Sequence, residues 1–286
     1  MTTRRKFLAT FAATGIVAAL PRFMRASAAP VVAPNDAMLR PTGWGVCVPP
    51  QAGIETMTRA LGLLAPARWQ SYGTWPDVAY PGRIPVVFSE QYFNRATVRD
   101  WLRDKPNCVW MLPNEPDEPS QADMTPAQGV ALTLEFIALG QASSQRWQWC
   151  APQIALTPEG LAWLTEYVTI MRQTKGIMQP AYWCVHPYRS GSLSQLRASW
   201  AAWRSWYATW GSGAPVVLSE VCAEGSPLAA QIAVMDECKA MLQRGEVCGV
   251  FWFAAHSDGL EWPNAALTTA DGSTLTDLGR HWKALQ

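Results

Sequence analysis

The fold is decided by the stretch Asn107-Cys108-Val109-Trp110-Met111-Leu112-Pro113-Asn114-Glu115-Pro116-Asp117-Glu118-Pro119. Its first half is apolar, with β-branched and aromatic residues, which predicts a buried strand. Pro113 and Pro116 lack a backbone donor, so regular strand pairing should end there. Glu115 is therefore expected where a buried strand becomes a loop, the place where ligands bind in α/β folds.

An Asn-Glu-Pro sequence can equally be a simple polar exit from a strand. A second segment of the same kind decides between the two interpretations. Ala214-Pro215-Val216-Val217-Leu218-Ser219-Glu220 is also an apolar run that ends on a glutamate. Because the carboxyl ends of parallel strands share one edge of a sheet, the two glutamates are expected to lie together.

Six further strand segments alternate with helical segments along the chain. The predicted strands are 43–48, 67–72, 84–89, 107–112, 146–151, 181–188, 214–220 and 249–254, and the predicted helices are 54–64, 96–103, 125–141, 157–172, 194–208, 228–243 and 275–285. Strands that alternate with helices form a parallel sheet with right-handed crossovers. Eight such strands predict an α/β fold, a (β/α)8 TIM barrel in a single domain.

Composition excludes some classes of partner and cofactor. The formal charge is +1 without a basic block, which argues against binding to nucleic acid. The seven cysteines show no metal-binding spacing, so no metal or other cofactor is predicted and all are treated as structural. Cys238 and Cys248 could still pair after export. The 16 tryptophans suit either a large core or flat surfaces that stack on sugar rings, and composition does not separate the two.

The N-terminus carries an export signal. Thr3-Arg4-Arg5-Lys6-Phe7-Leu8 is a twin-arginine pattern, the apolar run 7–20 follows it, and Ala26-Ser27-Ala28 is a cleavage site. We therefore expect a signal peptide at 1–28, a leader segment at 29–41 and the catalytic domain at 42–286. The apolar run is short for a membrane span, so no stable membrane insertion is expected after cleavage. The predicted location is periplasmic or secreted, with the Tat translocon as a partner during export.

Polar and aromatic residues follow the predicted strands. Glu115, His186, Tyr188, Glu220 and Trp252 come from strands four, six, seven and eight, and Arg68 and Trp69 come from strand two. His186 and Trp252 could also be core residues, Glu90 after strand three is an alternative carboxylate, and Glu118 and Glu224 are interpreted as solvated loop residues. Two carboxylates without a metal cluster favour glycoside hydrolysis, in which one protonates the leaving oxygen and the other attacks carbon or activates water.

These motifs resemble clan A of the retaining glycoside hydrolases. Asn114-Glu115-Pro116-Asp117, running on to Asp123-Met124-Thr125-Pro126, is similar to glycoside hydrolase family 128, the small-barrel endo-β-1,3-glucanases. Ser219-Glu220 stands where that family commonly has Thr-Glu, and His186-Pro187-Tyr188 matches its His-x-Tyr motif. Pro113 and the loop Ala223-Glu224-Gly225 depart from the pattern.

The resemblance implies a polysaccharide substrate, with a β-1,3-glucan as first choice, and a double displacement by two glutamates. It assigns Glu115 as general acid/base and Glu220 as nucleophile. Glu115 then needs a raised pKa, and Glu220 needs donors, for which Tyr188 and Arg68 are the candidates. Asn114 is expected to bind the sugar 2-hydroxyl, and Trp69 and Trp252 to stack on sugar rings.

Two other classes of function remain open from the sequence. An exported, non-catalytic glycan-binding barrel would keep an aromatic mouth without needing both glutamates. A transglycosylase would share the first chemical step and differ in the acceptor.

Overall fold

The computed structural model describes residues 39–49, 53–71, 80–90, 93–104, 108–143, 146–174, 179–187, 191–257 and 263–286. The predicted signal peptide lies outside these residues. Leu39, in the predicted leader segment, already contacts the fold, because its carbonyl accepts a hydrogen bond of 3.0 Å from the Val109 amide. Among the helices described, none is both long and apolar enough for a bilayer crossing.

Nine strands and seven helices follow one another along these residues. The strands are β1 (Gly43–Cys47), β2 (Arg68–Ser71), β3 (Arg83–Pro85), β4 (Cys108–Met111), β5 (Trp147–Cys150), β6 (Ile154–Ala155), β7 (Trp183–His186), β8 (Val216–Val221) and β9 (Gly249–Phe253). The helices are α1 (Gly53–Leu64), α2 (Arg95–Asp104), α3 (Pro126–Ala142), α4 (Pro158–Gln173), α5 (Leu193–Trp210), α6 (Leu228–Gln243) and α7 (Asp277–Ala284).

The strands form a curled parallel sheet. Seven of them pair in the order β3-β2-β1-β9-β8-β7-β6, and β4 pairs with β5. Single parallel bridges join the two groups, Val86 with Met111 on one side and Cys150 with Tyr182 on the other. The α/β class and the parallel sheet are therefore confirmed.

Every predicted strand and helix has a counterpart in the structure. Strand β6 was not predicted, because two residues are too few to show a hydrophobic period. Strict alternation of strands and helices fails at two places in the described residues. No helix lies between β5 and β6, and none is described between β2 and β3, where residues 72–79 are outside the described ranges.

The core has one layer inside the curl of the sheet and others between the sheet and the helices. The inner layer takes residues from successive strands, among them Cys47, Val109, Cys150 and Phe251. Tryptophans dominate the outer layers. Eleven tryptophans are buried within the described ranges, so most of the tryptophan excess is packing against helices.

Local sequence fixes the connections that follow the site strands. Helix α3 begins with a capping box, in which the Thr125 side chain accepts from the Gln128 amide and the Gln128 side chain accepts from the Thr125 amide. Helix α4 begins in a similar way, with Thr157 as its cap and a proline in its first turn. These caps satisfy amide groups that would otherwise lack partners, and they end the loops after β4 and β6 at defined positions.

Candidate active site

Glu115 lies just beyond β4 in a conformation that few residues adopt. Its φ angle is +41°, in the left-handed region that is strained for a residue with a side chain. Two hydrogen bonds hold it there: its amide donates to the Gln153 carbonyl at 2.7 Å, and its carbonyl accepts from the Glu118 amide at 3.0 Å. The carboxyl group is therefore buried at a fixed place, with 1% of the residue exposed.

Glu220 reaches the same place through an irregularity in β8. The pairing of β8 with β9 shifts between Leu218 and Val221, and both residues pack in the outer layer. In a regular strand, two successive residues on the same face are separated by one residue. Leu218 and Val221 are separated by two, which is the signature of a β-bulge. The bulge turns Glu220 toward the inside of the sheet, where it is 3% exposed.

His186, the last residue of β7, contacts both glutamates. Its Nδ1 lies 3.1 Å from Glu115 Oε1, and its Nε2 lies 3.8 Å from Glu220 Oε1. The ring is fully buried. The structure thus brings together three of the predicted site residues, with the carboxyl groups of Glu115 and Glu220 on the imidazole of His186.

The electrostatics of this centre favour a proton on the histidine. Burial lowers the pKa of His186, but the charges of Glu220 and Glu115 and the hydrogen bond to Glu115 outweigh it, so its pKa lies above the usual value. Asp117 adds to this effect. A positive ring between two carboxylates is the arrangement that keeps both negative charges tolerable in a buried site.

Asp117 is a third carboxyl group that sequence reasoning missed. Burial, with a smaller contribution from the charge of Glu115, raises its pKa to about 7, although backbone hydrogen bonds, including one from Ala155, act against the rise. Its Oδ1 accepts from the Ala155 amide at 3.3 Å. Its Oδ2 faces the first turn of α4, where a Cβ on Gly160 would come within 2.8 Å. The Asn-Glu-Pro-Asp motif contained this residue, but nothing in it showed that the loop turns inward.

Gln153 is the second residue that sequence reasoning missed. It lies between β5 and β6, is fully buried, and places its Oε1 3.5 Å from His186 Nε2. One signal could have found it: Ala151-Pro152-Gln153 repeats, after β5, the pattern of an apolar strand, a proline and a polar residue seen at Pro113-Asn114.

Asn114 lies in the predicted position. Its amide donates to the Phe88 carbonyl at 2.9 Å, its Nδ2 lies 3.4 Å from Gln121 Oε1, and its Oδ1 is buried without a hydrogen-bond partner in the described residues. Tyr188 lies outside the described residues, so its role stays a prediction. Glu90, the alternative carboxylate, is exposed, whereas Glu118 and Glu224 are half-buried.

Arg68 is a correction, because it lies at the wrong end of its strand. It is the first residue of β2 and pairs with Gly45, whereas the mouth lies at the carboxyl ends. Its guanidinium donates to the carbonyls of Arg40 and Ala67, so it does not serve Glu220. His186 lies beside Glu220, in the place that was assigned in part to Arg68.

Trp69 and Trp252 are also corrections. Both are fully buried in the outer core layer, because strand alternation directs them toward the helices. Their indole N–H groups donate to backbone carbonyls, of Pro81 for Trp69 and of Ala265 for Trp252. Phe253, the next residue along β9, is instead half-buried and also packs against the inner layer.

No cluster of metal-ligating side chains occurs in the part of the chain that the structure describes. The seven cysteines are all free thiols, and the potential pair Cys238 and Cys248 forms no bond. The groups that the site brings together are carboxyl groups and one imidazole.

Comparison with known proteins agrees with this chemistry. The model of the family "Glycosyl hydrolase catalytic core" matches residues 69–282, which is more than half of the chain. The chain belongs to this family. The prediction of a glycoside hydrolase is thereby confirmed. A search of curated proteins found no match.

Solved structures of glycoside hydrolases have a similar fold. A GH128 subgroup I endo-β-1,3-glucanase from Amycolatopsis mediterranei in complex with laminarihexaose is 20% identical, with a TM-score of 0.64 over 85% of this chain and 99% of that one. A subgroup II endo-β-1,3-glucanase from Pseudomonas viridiflava is 19% identical, with a TM-score of 0.64 over 85% and 97%. A subgroup VI exo-β-1,3-glucanase from Aureobasidium namibiae is 17% identical, with a TM-score of 0.66 over 85% and 96%. At these identities the likeness is one of fold, and it is to the family that the sequence motifs resemble.

Proposed function

We propose that this glycoside hydrolase cleaves a β-1,3-glucan with retention of configuration, with Glu115 as general acid/base and Glu220 as nucleophile. The observation that carries the proposal is the contact of one buried imidazole with both carboxyl groups. Buried carboxyl groups are costly unless they are paired or used. Two of them on one histidine, at the carboxyl edge of a parallel sheet, form a centre suited to glycoside cleavage.

The reaction has two displacements in this scheme. In the first, a Glu220 oxygen attacks the anomeric carbon, the glycosidic bond breaks, and Glu115 gives its proton to the leaving oxygen. In the second, Glu115 takes a proton from water, the water oxygen attacks the same carbon, and Glu220 leaves. Asn114 is suited to bind the 2-hydroxyl, because its buried Oδ1 is without a protein partner in the described residues.

His186 balances the charges during these steps. Its Nε2 lies 3.8 Å from Glu220 Oε1, and a proton on that nitrogen, in the neutral ring as in the charged one, favours the ionised form of Glu220 for attack. Its Nδ1 contact with Glu115 keeps the proton of the acid/base within the pair. The histidine does the work that the sequence had assigned to Arg68.

The substrate class rests on relatives and on one aromatic residue. The structurally similar glucanases act on β-1,3-glucans, and one was solved with laminarihexaose. Phe253 is our candidate for a sugar contact in place of Trp252, since it is half-buried at the carboxyl end of β9. Whether cleavage is internal or at chain ends is for product analysis to decide.

We further infer that the curled sheet closes into a (β/α)8 barrel. Support comes from the hydrogen bonds at the two places where the sheet is interrupted. The Val87 amide donates to the Met111 carbonyl at 2.9 Å, and the Ala151 amide donates to the Tyr182 carbonyl at 2.9 Å. These contacts join β3 to β4 and β5 to β7, so every strand except β6 has neighbours on both sides.

The export assignment completes the proposal. The twin-arginine pattern and the cleavage site after Ala28 support passage through the Tat translocon, a mature chain whose catalytic domain spans 42–286, and a periplasmic or secreted location. Seven free thiols are compatible with a protein that folds before it is exported.

The test is hydrolysis by the mature chain, residues 29–286. We expect release of reducing ends from a β-1,3-glucan in preference to β-1,4-glucan and to xylan, with retained configuration in the first product. Glu220→Ala should abolish turnover, and azide should rescue it with inverted product. Glu115→Ala should stay active only on substrates whose leaving group needs no proton. Glu90→Ala, an exposed carboxylate near the end of β3, is the matched control and should behave as the unmodified protein.

Other outcomes would favour the other classes. Binding of the glucan without cleavage would identify a glycan-binding barrel. Longer products on addition of oligosaccharide would identify a transglycosylase. Inversion of configuration in the first product would contradict the double displacement.

A further inference from the structure

We propose that Gln153 is a positioning residue that fixes the Nε2 proton of His186, so that the exchangeable proton of the site is held between His186 Nδ1 and Glu115. The inference rests on the proposed function, because it explains how the acid/base keeps its proton. It concerns a residue outside the motifs of the two glutamates.

The segment around Gln153 ties the glutamate loop to the histidine strand. The Gln153 carbonyl accepts from the Glu115 amide at 2.7 Å, and its amide donates to the Pro113 carbonyl at 2.9 Å. Directly after it, β6 pairs with β7, Ala155 opposite His186. Glu115 and His186 are therefore both positioned by residues 153–155, whose backbone carries the contacts.

The side chain of Gln153 has a defined orientation. Its Nε2 donates to the Leu112 carbonyl at 3.3 Å, and a carbonyl can only accept, so the amide nitrogen must be on that side. The opposite atom, Oε1, then faces His186 Nε2 at 3.5 Å. An amide oxygen can only accept as well, so it calls for a proton on His186 Nε2.

The two sides of the imidazole thus differ in kind. Nε2 faces Gln153 Oε1 and, at 3.8 Å, Glu220 Oε1, which accept while Glu220 is ionised. Nδ1 faces Glu115, which accepts as a carboxylate and donates as an acid. Only the Nδ1 side can therefore exchange a proton without losing its hydrogen bond. When Glu115 is loaded for catalysis, its proton and the neutral ring, protonated on Nε2, satisfy each other.

Within the described residues, the charged groups that raise the pKa of His186 come from one edge of the sheet. Glu115 and Asp117 face it from the loop after β4, and Glu220 from β8; all three raise the pKa of His186. Gln153 is uncharged, so it can direct the proton without adding to the negative charge. A carboxylate in its place would accept from Nε2 too, but it would bind the imidazolium more tightly.

The experiment compares two substitutions that act in opposite directions. Gln153→Met keeps the volume and removes the acceptor, and Gln153→Glu keeps an acceptor and adds a charge. Both leave the backbone contacts in place. Gln231→Met is the matched control, because Gln231 is also fully buried and also bonds to backbone, the amide and the carbonyl of Ala223, away from His186.

The first readout is nitrogen NMR of the histidines, of which the chain has only three. In the unmodified protein Nε2 of His186 should stay protonated throughout the titration, while Nδ1 changes. Gln153→Met should give a mixture of ring forms and a lower pKa of His186, and Gln153→Glu should keep the Nε2 proton and raise that pKa. Gln231→Met should leave the His186 signals unchanged.

The second readout is the pH dependence of kcat/KM on the glucan. We expect both variants at Gln153 to lower kcat by about 10- to 100-fold, less than the roughly 10²–10⁴-fold that general acid–base catalysis contributes, because Glu115 itself stays in place. KM should change little, and the pH profiles of the two variants should shift in opposite directions. If both variants lose kcat to a similar extent, and neither the pH profile of kcat/KM nor the NMR signals of His186 shift, Gln153 has a merely structural role and the inference is overturned.

The two proposals fail in different ways. A His186 ring whose Nε2 loses its proton in the unmodified protein overturns the role of Gln153 even if the glucan is cleaved. An absence of cleavage together with the expected ring signals overturns the substrate and leaves the proton arrangement intact. If Gln153→Met does not fold, the shift in Gln153→Glu decides the matter alone, since no change in its His186 pKa would contradict the inference.

Discussion

Asp117→Asn should stabilise the protein at high pH, because the buried surroundings of Asp117 disfavour its ionised form. Its pKa rises from 3.8 to about 7, chiefly through burial. A folded pKa above the unfolded value means that stability is fully present below pH 3.8 and declines as the pH rises through about 7. Asparagine resembles the protonated acid and stays neutral, so it should not show this decline.

The size of the effect follows from the pKa difference. A pKa difference of one corresponds to about 1.4 kcal/mol, so a difference of about three corresponds to at most about 4 kcal/mol of folding free energy. The first turn of α4, which lies against Oδ2, favours a negative charge by up to ~2 kcal/mol, and partial exposure weakens the burial effect. We therefore expect the variant to be more stable by about 2–4 kcal/mol above pH 8, or roughly 4–16 °C in Tm for a domain of this size.

The assay is thermal unfolding of the unmodified protein and the variant at intervals from pH 4 to pH 9. The melting temperatures of the two proteins should nearly coincide at pH 4, separate progressively up to about pH 7, and stay apart at higher pH. Asp271→Asn is a control of opposite sign. Hydrogen bonds from Thr269 and Ser273 lower the pKa of Asp271 to about 2, so its substitution should reduce stability at neutral pH without a change across this range.

A difference in Tm that is the same at pH 4 and pH 9 would refute the reasoning, since it would reflect packing and not ionisation. A variant less stable than the unmodified protein at pH 9 would show that the carboxylate is stabilised by α4 more than it is penalised by burial.

Three further predictions use different parts of the chain. Trp252→Ala should lower the free energy of unfolding by about 3–5 kcal/mol, whereas its neighbour Phe253→Ala should weaken glucan binding by about 1–3 kcal/mol with a smaller loss of stability; titration calorimetry and chemical denaturation separate the two. Thr125→Ala removes the cap of α3 and should cost about 0.5–2 kcal/mol in the same denaturation assay, and an unchanged midpoint would contradict it. Changing Arg4 and Arg5 together to Lys should leave the precursor in the cytoplasm, as measured by cell fractionation. Export of the double variant at the normal rate would rule out the twin-arginine route.

The order of the strands and helices could be predicted from the sequence because the signals for each element are local. An apolar run between turn residues and a Thr-Pro pair before a helix each depend on a few neighbours, as at Val109 and Thr125. The ends of strands are less well determined. Arg68 was assigned to the mouth although it lies near the start of the predicted strand 67–72, and the structure makes it the first residue of β2, at the end away from the mouth.

The second source of error was the face of the sheet to which a side chain was assigned. Trp69 and Trp252 lie on strands with a correct assignment, but each points toward the helices. A strand that is apolar on both faces has no alternation to read, so the two faces of β9 look alike in sequence. In the structure Trp252 is fully buried in the outer layer, whereas Phe253, the next residue, is half-buried and also packs against the inner layer.

The catalytic groups themselves depend on irregular backbone. Glu115 occupies a left-handed conformation, and Glu220 follows a shift in strand register. Neither feature has a signal in the sequence beyond the prolines near Glu115, since a bulge and a strained φ are set by contacts with distant segments. What the sequence could predict was the chemistry at two strand ends.

Those two irregularities have one consequence that a regular sheet would lack. A regular β8 would point Glu220 toward the helices, and a regular exit from β4 would extend Glu115 along the strand. With both strands broken, the two carboxyl groups turn inward to the same ring of His186. The cost of burying these groups and of the strained φ is borne by contacts elsewhere, such as the 2.7 Å bond from Glu115 to Gln153. The residues that hold the site together are therefore ones whose own side chains need not touch the sugar, and substitutions at Gln153 and Asp117 should alter its proton balance more than its affinity.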